Sequence, residues 1–189
     1  MKAGTSVSMD DGFIAQAVRG RKFGSDCHQV GKFVVEVIKK TGEIFTYEIP
    51  NSSTTQGKNY LLDAGFRSTG NTANWYMGLI DATGFVELLA ADTAASHTGW
   101  TEFEDYDNST RPAWTKSAAS AGVMNASAAS SFTISAVGSG QALKGAFIAS
   151  SNTKGGGSGV LWATGQFAAD IPIQETDVIN ITYFTQLTS

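Results

Sequence analysis

The chain has 189 residues, 42% hydrophobic and only 16% charged, which excludes a disordered polymer and is enough to bury one core. Its 21 glycines against 3 prolines, in a chain rich in Ser, Thr and Ala, favour short strands joined by turns over a helical bundle. A single cysteine excludes an intramolecular disulfide framework, and no apolar run approaches the roughly 20 residues that cross a bilayer as a helix.

The net charge of −4 is unevenly placed: residues 1–40 hold seven Lys or Arg against four acids, and the remaining 149 hold six against thirteen. A basic front on an acidic body suits an arm seeking an acidic surface, and equally suits a slightly basic first hairpin. The opening MKAGTSVSMDDG has no apolar stretch of the secretory kind, so no signal is expected and four N-x-S/T triplets are read as chance. Residues 1–30 show no sustained period and are read as an N-terminal arm. Within it, DGFIAQAVRGRKFG either forms one short helix with Phe13, Ile14 and Val18 on a face or lies extended against a partner. The RGRKFG cluster, with one aromatic and no surrounding RNP, helix-turn-helix or zinc pattern, makes no case for nucleic acid.

Residues 31–189 are read as one β-domain. KFVVEVI, KKTG and EIFTYEIP make two strands around a tight turn, ended by Pro50 and NSSTTQG. KNYLLDAGFRSTG, Lys58–Gly70, has room for one short helix stopped by Gly65 or Gly70. WYMGLI is a buried strand, and DATG is a turn leading into a further strand, FVELLA. SFTISAV places Phe132, Ile134 and Ala136 on one side. ALKGAFIAS and VLWATGQF follow, separated by the glycine loop SNTKGGGSG. In the closing segment Ile179, Ile181 and Tyr183 alternate with Asn180 and Thr182, as in a half-buried antiparallel strand. About eight to ten short strands, at most two short helices and no repeat of about 20–50 residues predict an all-β fold. The expected architecture is an antiparallel β-sandwich, jelly-roll-like, with an extended N-terminal arm.

The stretch ASHTGWTEFEDYDNSTRPAW, Ala95–Trp114, concentrates half the Trp residues, one of two His, four carboxylates and an Arg. No catalytic pattern is assembled there. Ser96 beside His97 lacks a G-x-S-x-G elbow, and the neighbours Cys27 and His28 have side chains that point apart. One Cys and two His about seventy residues apart have no zinc spacing. Asp105, Asp107 and Ser109 alternate like the start of a calcium loop, but an EF-hand then needs Gly and Glu where Thr110 and Lys116 stand. Only an irregular calcium site near Asp105 and Asp107 stays open. Glu102 and Glu104 lie about 7 Å apart on one face of an extended strand, with no groove to make them a glycosidase pair. In KGGGSG the Lys precedes the glycines and a strand follows, unlike a Walker loop, so the segment reads as a flexible hairpin tip. No catalytic residue, cofactor or metal is expected, and the chain is not read as an enzyme. Trp100, Tyr106 and Trp114, with Phe103, either pin a long loop to the core or form a platform for sugars; composition favours the core.

A set of short motifs runs through the domain: W-Y-x-G-L-I at Trp75–Ile80, D-T-x-A-S-H-x-G-W-T-E at Asp92–Glu102 and R-P-x-W at Arg111–Trp114. G-x-F-I at Gly145–Ile148, S-x-x-T-K-G-G at Ser150–Gly156, L-W-A-x-x-x-F at Leu161–Phe167 and I-T-Y at Ile181–Tyr183 complete it. Together, over roughly Asn59 to Tyr183, they resemble a family of small virion structural proteins of tailed bacteriophages. The resemblance implies a β-sandwich module of the capsid cement (decoration) type on the outer surface of the capsid, and offers no catalytic residues. The expected partners are the major capsid protein and the chain itself, as a dimer or trimer at a symmetry axis, with neither nucleic acid nor membrane. In that arrangement the arm straps the capsid protein, Arg19, Arg21 and Lys22 meeting acids while Phe13, Ile14 and Phe23 fill apolar pockets. The alternative is a tail or head-fibre component or adhesin that holds host-surface glycans on Trp100, Tyr106 and Trp114.

Overall fold

In the computed structural model, which describes residues 28–188 except 136, 137 and 139, the first hairpin sets the frame. Strands β1 (His28–Ile38) and β2 (Ile44–Pro50) pair antiparallel without a register shift, from Lys32↔Pro50 to Ile38↔Ile44. On its other side β1 pairs along its whole length with β10 (Val178–Thr188), the last strand. Strict alternation turns Phe33, Val35 and Val37 of β1 and Ile179, Ile181 and Tyr183 of β10 inward, each at most 1% exposed. Two short strands, β6 (Val123–Asn125) and β7 (Ser130–Thr133), pair with successive stretches of β10 and complete the first sheet.

The second sheet is also antiparallel. It consists of β3 (Ser52–Ser53), β4 (Tyr76–Asp81), β5 (Glu102–Phe103), β8 (Ala142–Ala149) and β9 (Leu161–Pro172), in the order β3-β9-β8-β4-β5. Met77, Leu79, Ile148, Ala163 and Phe167 face the first sheet and close the larger core cluster with Phe33, Phe132 and Tyr183. Each such large side chain contributes about 1.5–3 kcal/mol by leaving water. The protein is therefore an all-β antiparallel sandwich, as the strand pattern predicts.

Four local expectations are corrected. β1 starts at His28 rather than Lys32, so residues 28–30 belong to the sheet and not to the arm. The helix α1 (Thr55–Leu62) begins inside NSSTTQG, because Thr54 caps it: its Oγ accepts the Gly57 N–H at 2.9 Å and also bonds the Leu161 carbonyl. The helix is not stopped at Gly65 but widens into a π-helical turn, Asp63–Arg67, that ends at a left-handed Ser68. FVELLA forms no strand. Its Val86 is 71% exposed and donates its N–H to the Gly99 carbonyl across a loop, so no ladder partner is on offer. Phe13, Ile14, Arg19, Arg21, Lys22, Phe23, Cys27 and Ala136 lie outside the described residues.

Buried Asp177 ties the turn after β1 to the turn before β10. One oxygen accepts the Lys40 N–H, and the other accepts Lys39 Nζ and the Gln174 N–H, at 2.9–3.0 Å. Burial alone would raise this carboxyl, but the bonds from Lys39, Lys40 and Gln174, with the Lys39 charge, outweigh it and hold it below the ordinary carboxylate value. A folded-state value below the unfolded one stabilises the fold above the unfolded value, about 4, and is lost as pH falls through the lowered value. Urea midpoints measured against pH are expected to fall on that acid limb. Asp177→Asn should lower the neutral-pH midpoint and flatten the limb; an unchanged acid limb in the variant would assign the pH dependence to other carboxylates.

Candidate functional site

The two segments that composition singles out, Ala95–Trp114 and Ser150–Gly159, meet beside the β8–β9 connection. Each sends one cation into the other. Arg111 forks onto Glu102, Nε to Oε1 at 2.8 Å and Nη2 to Oε2 at 2.7 Å, while its guanidinium also donates to the carbonyls of Ser151 and Gly156. Lys154 returns the contact, donating to the carbonyls of Tyr106 and Asn108, both at 2.9 Å, with Nζ 3.9 Å from the Tyr106 ring centroid. The Gly155 N–H completes the carboxylate by donating to Glu102 Oε2 at 2.6 Å. Gly155 adopts φ +62°, and a Cβ there would come within 2.6 Å of Glu104 Oε1, so a side chain at this turn would be strained and would push the Glu104 carboxylate aside.

Arg111 and Glu102 are both only 4% exposed. A buried bidentate pair with its remaining groups hydrogen-bonded is a clamp. The glycine loop is thus no loose hairpin tip: long-range donors and acceptors hold it, a correction to the reading from glycine density. Beneath it lies a cavity of about 170 Å³ walled by His97, Trp100, Glu102, Glu104, Arg111 and Phe147. Both oxygens of Glu102 are already occupied, so the cavity does not offer two free carboxylates facing one bond.

The three aromatic candidates sit in the interior, Trp100 and Tyr106 3% exposed and Trp114 7%. Trp100 donates its indole N–H to buried Asp92 at 2.9 Å, and the His97 ring stacks on it at 3.9 Å. Tyr106 stands edge-on to Phe132, and Trp114 edge-on to Tyr183. These contacts pin the loop to the sandwich, and a sugar platform at Trp100 and Tyr106 would lack open ring faces. Burial, reinforced by the Glu102 charge, pushes the Tyr106 hydroxyl above the ordinary phenol range. Burial likewise pushes Tyr183 up to about 12, against hydrogen bonds led by that from the Trp162 indole. Asp105 and Asp107 are exposed, and no group of three His, Cys, Asp or Glu side chains converges to hold a metal among the described residues.

A second feature was not legible in the sequence. A cleft of about 380 Å³ opens between the sheets, walled by Tyr60, Trp75, Trp114, Ile148 and Trp162 and rimmed by Leu61 and Leu187. Its aromatic wall is built edge to face, Tyr60 on Trp75 at 5.1 Å and Trp75 on Trp162 at 5.8 Å. The walls come from stretches of chain far apart in sequence that only the fold brings together. The cleft admits an apolar group and supplies few polar partners. Gln29, the second residue of β1, lines it.

No protein-family model, curated protein or solved structure matches the chain. What the site can do therefore rests on its own residues: a locked clamp under the glycine loop, and an open aromatic cleft at the rim of the sandwich.

Proposed function

We propose that this protein is a capsid cement (decoration) protein of a tailed bacteriophage, which binds the outer surface of the major capsid protein shell and stabilises the head by bridging capsomers. The motif set from Trp75 to Tyr183 motivates the reading. The observation that carries it is the Arg111–Glu102–Gly155 clamp: the residues most like an active site are engaged with one another. Held in this way, they serve rigidity and surface shape rather than turnover. A cement protein works by burial across capsomer boundaries. Contacts of about 800 Å² per partner contribute several kcal/mol after association costs, and repetition over a symmetric shell adds avidity.

In this reading the residues before β1 strap the capsid protein, Arg19, Arg21 and Lys22 against acids and Phe13, Ile14 and Phe23 in apolar pockets. The sandwich makes the self-contacts. Deleting residues 1–24 leaves β1 whole and is expected to abolish shell binding while preserving the melting temperature of the body, read by co-sedimentation with chain-free capsids and by thermal unfolding. Undiminished co-sedimentation would sink the strap. Copy number per virion tests the broader assignment: a simple large fraction of the capsid protein count is expected, and a few to a few dozen copies would place the chain in the tail or a fibre.

A second reading, a tail or head-fibre component or adhesin holding host glycans, draws on the aromatic cleft. There Trp114 joins Trp75 and Trp162, in place of Trp100 and Tyr106. It predicts saturable glycan binding that Trp162→Ala removes.

A further inference from the structure

Among the strands that end the two sheets, β2 is the longest. The other terminal strands run two to four residues: β3 and β5 have two, β6 three and β7 four. β2 has seven, pairs with β1 on one side only, and shows no bulge. Long flat edges are what soluble proteins ordinarily shorten, charge or kink, because their unpaired N–H and C=O groups template another strand.

Hydrogen-bond parity identifies those groups. Lys39 N–H bonds the Glu43 carbonyl at one end of the hairpin, and Asn51 N–H bonds the Gly31 carbonyl at the other. Every second pair between them exchanges bonds with β1, which turns the backbones of Phe45, Tyr47 and Ile49 inward. The backbones of Ile44, Thr46 and Glu48 point outward, and none of them has a hydrogen-bond partner outside the ladder among the described residues. None of the three is Pro or Lys, and the one charge, Glu48, is already paired with Lys32 at 2.9 Å. Pro50, which has no N–H, ends the run. The same edge exposes apolar side chains, Ile44 at 62% and Phe45 at 43%.

We propose that β2 is a homodimer interface, pairing antiparallel with β2 of a second copy about a two-fold axis at Thr46. In this register Thr46 faces the partner's Thr46 and Ile44 faces the partner's Glu48, so the three outward residues on each chain exchange about six backbone hydrogen bonds. Phe45 meets the partner's Tyr47 at a non-hydrogen-bonded position, where cross-strand side chains approach most closely. The two other registers with an outward residue of β2 on the axis fail on this strand's own residues. An axis at Glu48 sets two like charges opposite each other and brings Pro50 into the ladder. An axis at Ile44 runs the pairing into the Gly42 turn. The fit to itself is what selects a second copy as the occupant.

The proposal supplies the self-contact of the cement reading and rests on it for its place in a shell, but it is tested on the purified full chain. Its failure therefore leaves shell binding standing, and loss of shell binding leaves it standing. Sedimentation velocity is expected to give a dimer, twice the 19.9 kDa chain mass. Thr46→Pro removes an N–H that no described residue accepts, and should halve that mass with an unchanged circular dichroism spectrum. In a Cys27→Ser background, Thr46→Cys should oxidise to a covalent dimer while Lys58→Cys, on the exposed helix, should not. A monomer at every concentration, a trimer, or a dimer that survives Thr46→Pro overturns the proposal. If Thr46→Pro fails to fold, the cysteine pair decides: no disulfide-linked dimer at position 46 overturns it equally.

Discussion

Replacing Arg111 with methionine is expected to lower the unfolding free energy by about 3–5 kcal/mol, the range for breaking one half of a buried ion pair. The side chain is 4% exposed, and its removal leaves an equally buried Glu102 with the Gly155 N–H as its remaining donor. The carbonyls of Ser151 and Gly156 lose their guanidinium at the same time. Arg111→Lys should recover little, since a point charge cannot span a fork and two carbonyls. The double variant Arg111→Met, Glu102→Leu should lie closer to the parent than Arg111→Met alone, because the uncompensated charge is gone. Urea unfolding followed by Trp fluorescence measures all three, and limited proteolysis at residues 151–159 reports whether the loop opens. A cost below about 1 kcal/mol for Arg111→Met would mean the pair behaves as a surface salt bridge.

Gly145→Ala is expected to cost about 3 kcal/mol or more, at the upper end of overpacking in a closed core. Gly145 lies in β8 where the ladder to β9 shifts register between Leu143 and Gly145. A Cβ there would run into the Gly165 carbonyl oxygen, a backbone atom of the neighbouring strand rather than the end of a flexible side chain. β9 cannot retreat easily, because Gly165 itself lies against Phe33 and Ile49 of the opposite sheet. Gly65→Ala is the control: a Cβ there meets nothing within 4 Å, so a change near zero or slightly stabilising is expected. Thermal unfolding of the two variants side by side decides it. A Gly145→Ala protein as stable as the parent would mean that the β8–β9 spacing adapts.

Both variants probe contacts between residues far apart in the chain, and there the sequence was least informative. Alternation is local, so FVVEV and VINITY announced β1 and β10, and with them the all-β class. Apolar content was equally direct about the core: Phe33, Phe132, Ile179 and Tyr183 are where their patterns place them. The start of α1 was hidden because Thr54 is one Ser or Thr among several in NSSTTQG, and its role as a cap depends on a bond to Leu161 from another strand. FVELLA has the composition of a strand, but the sheet gave it no neighbour.

Residue types and periods determined that this chain makes a two-sided β-structure with Ala95–Trp114 and the glycine run as its unusual segments. Only tertiary structure decided what those segments do. Arg111 reaches Glu102 nine positions away, but Gly155 and Lys154 lie more than forty positions from the groups they hold. Glycine density by itself predicts freedom, because it counts backbone states available to an isolated loop. Packing removed those states by offering a buried ion pair whose remaining hydrogen bonds this loop's N–H and carbonyl groups complete.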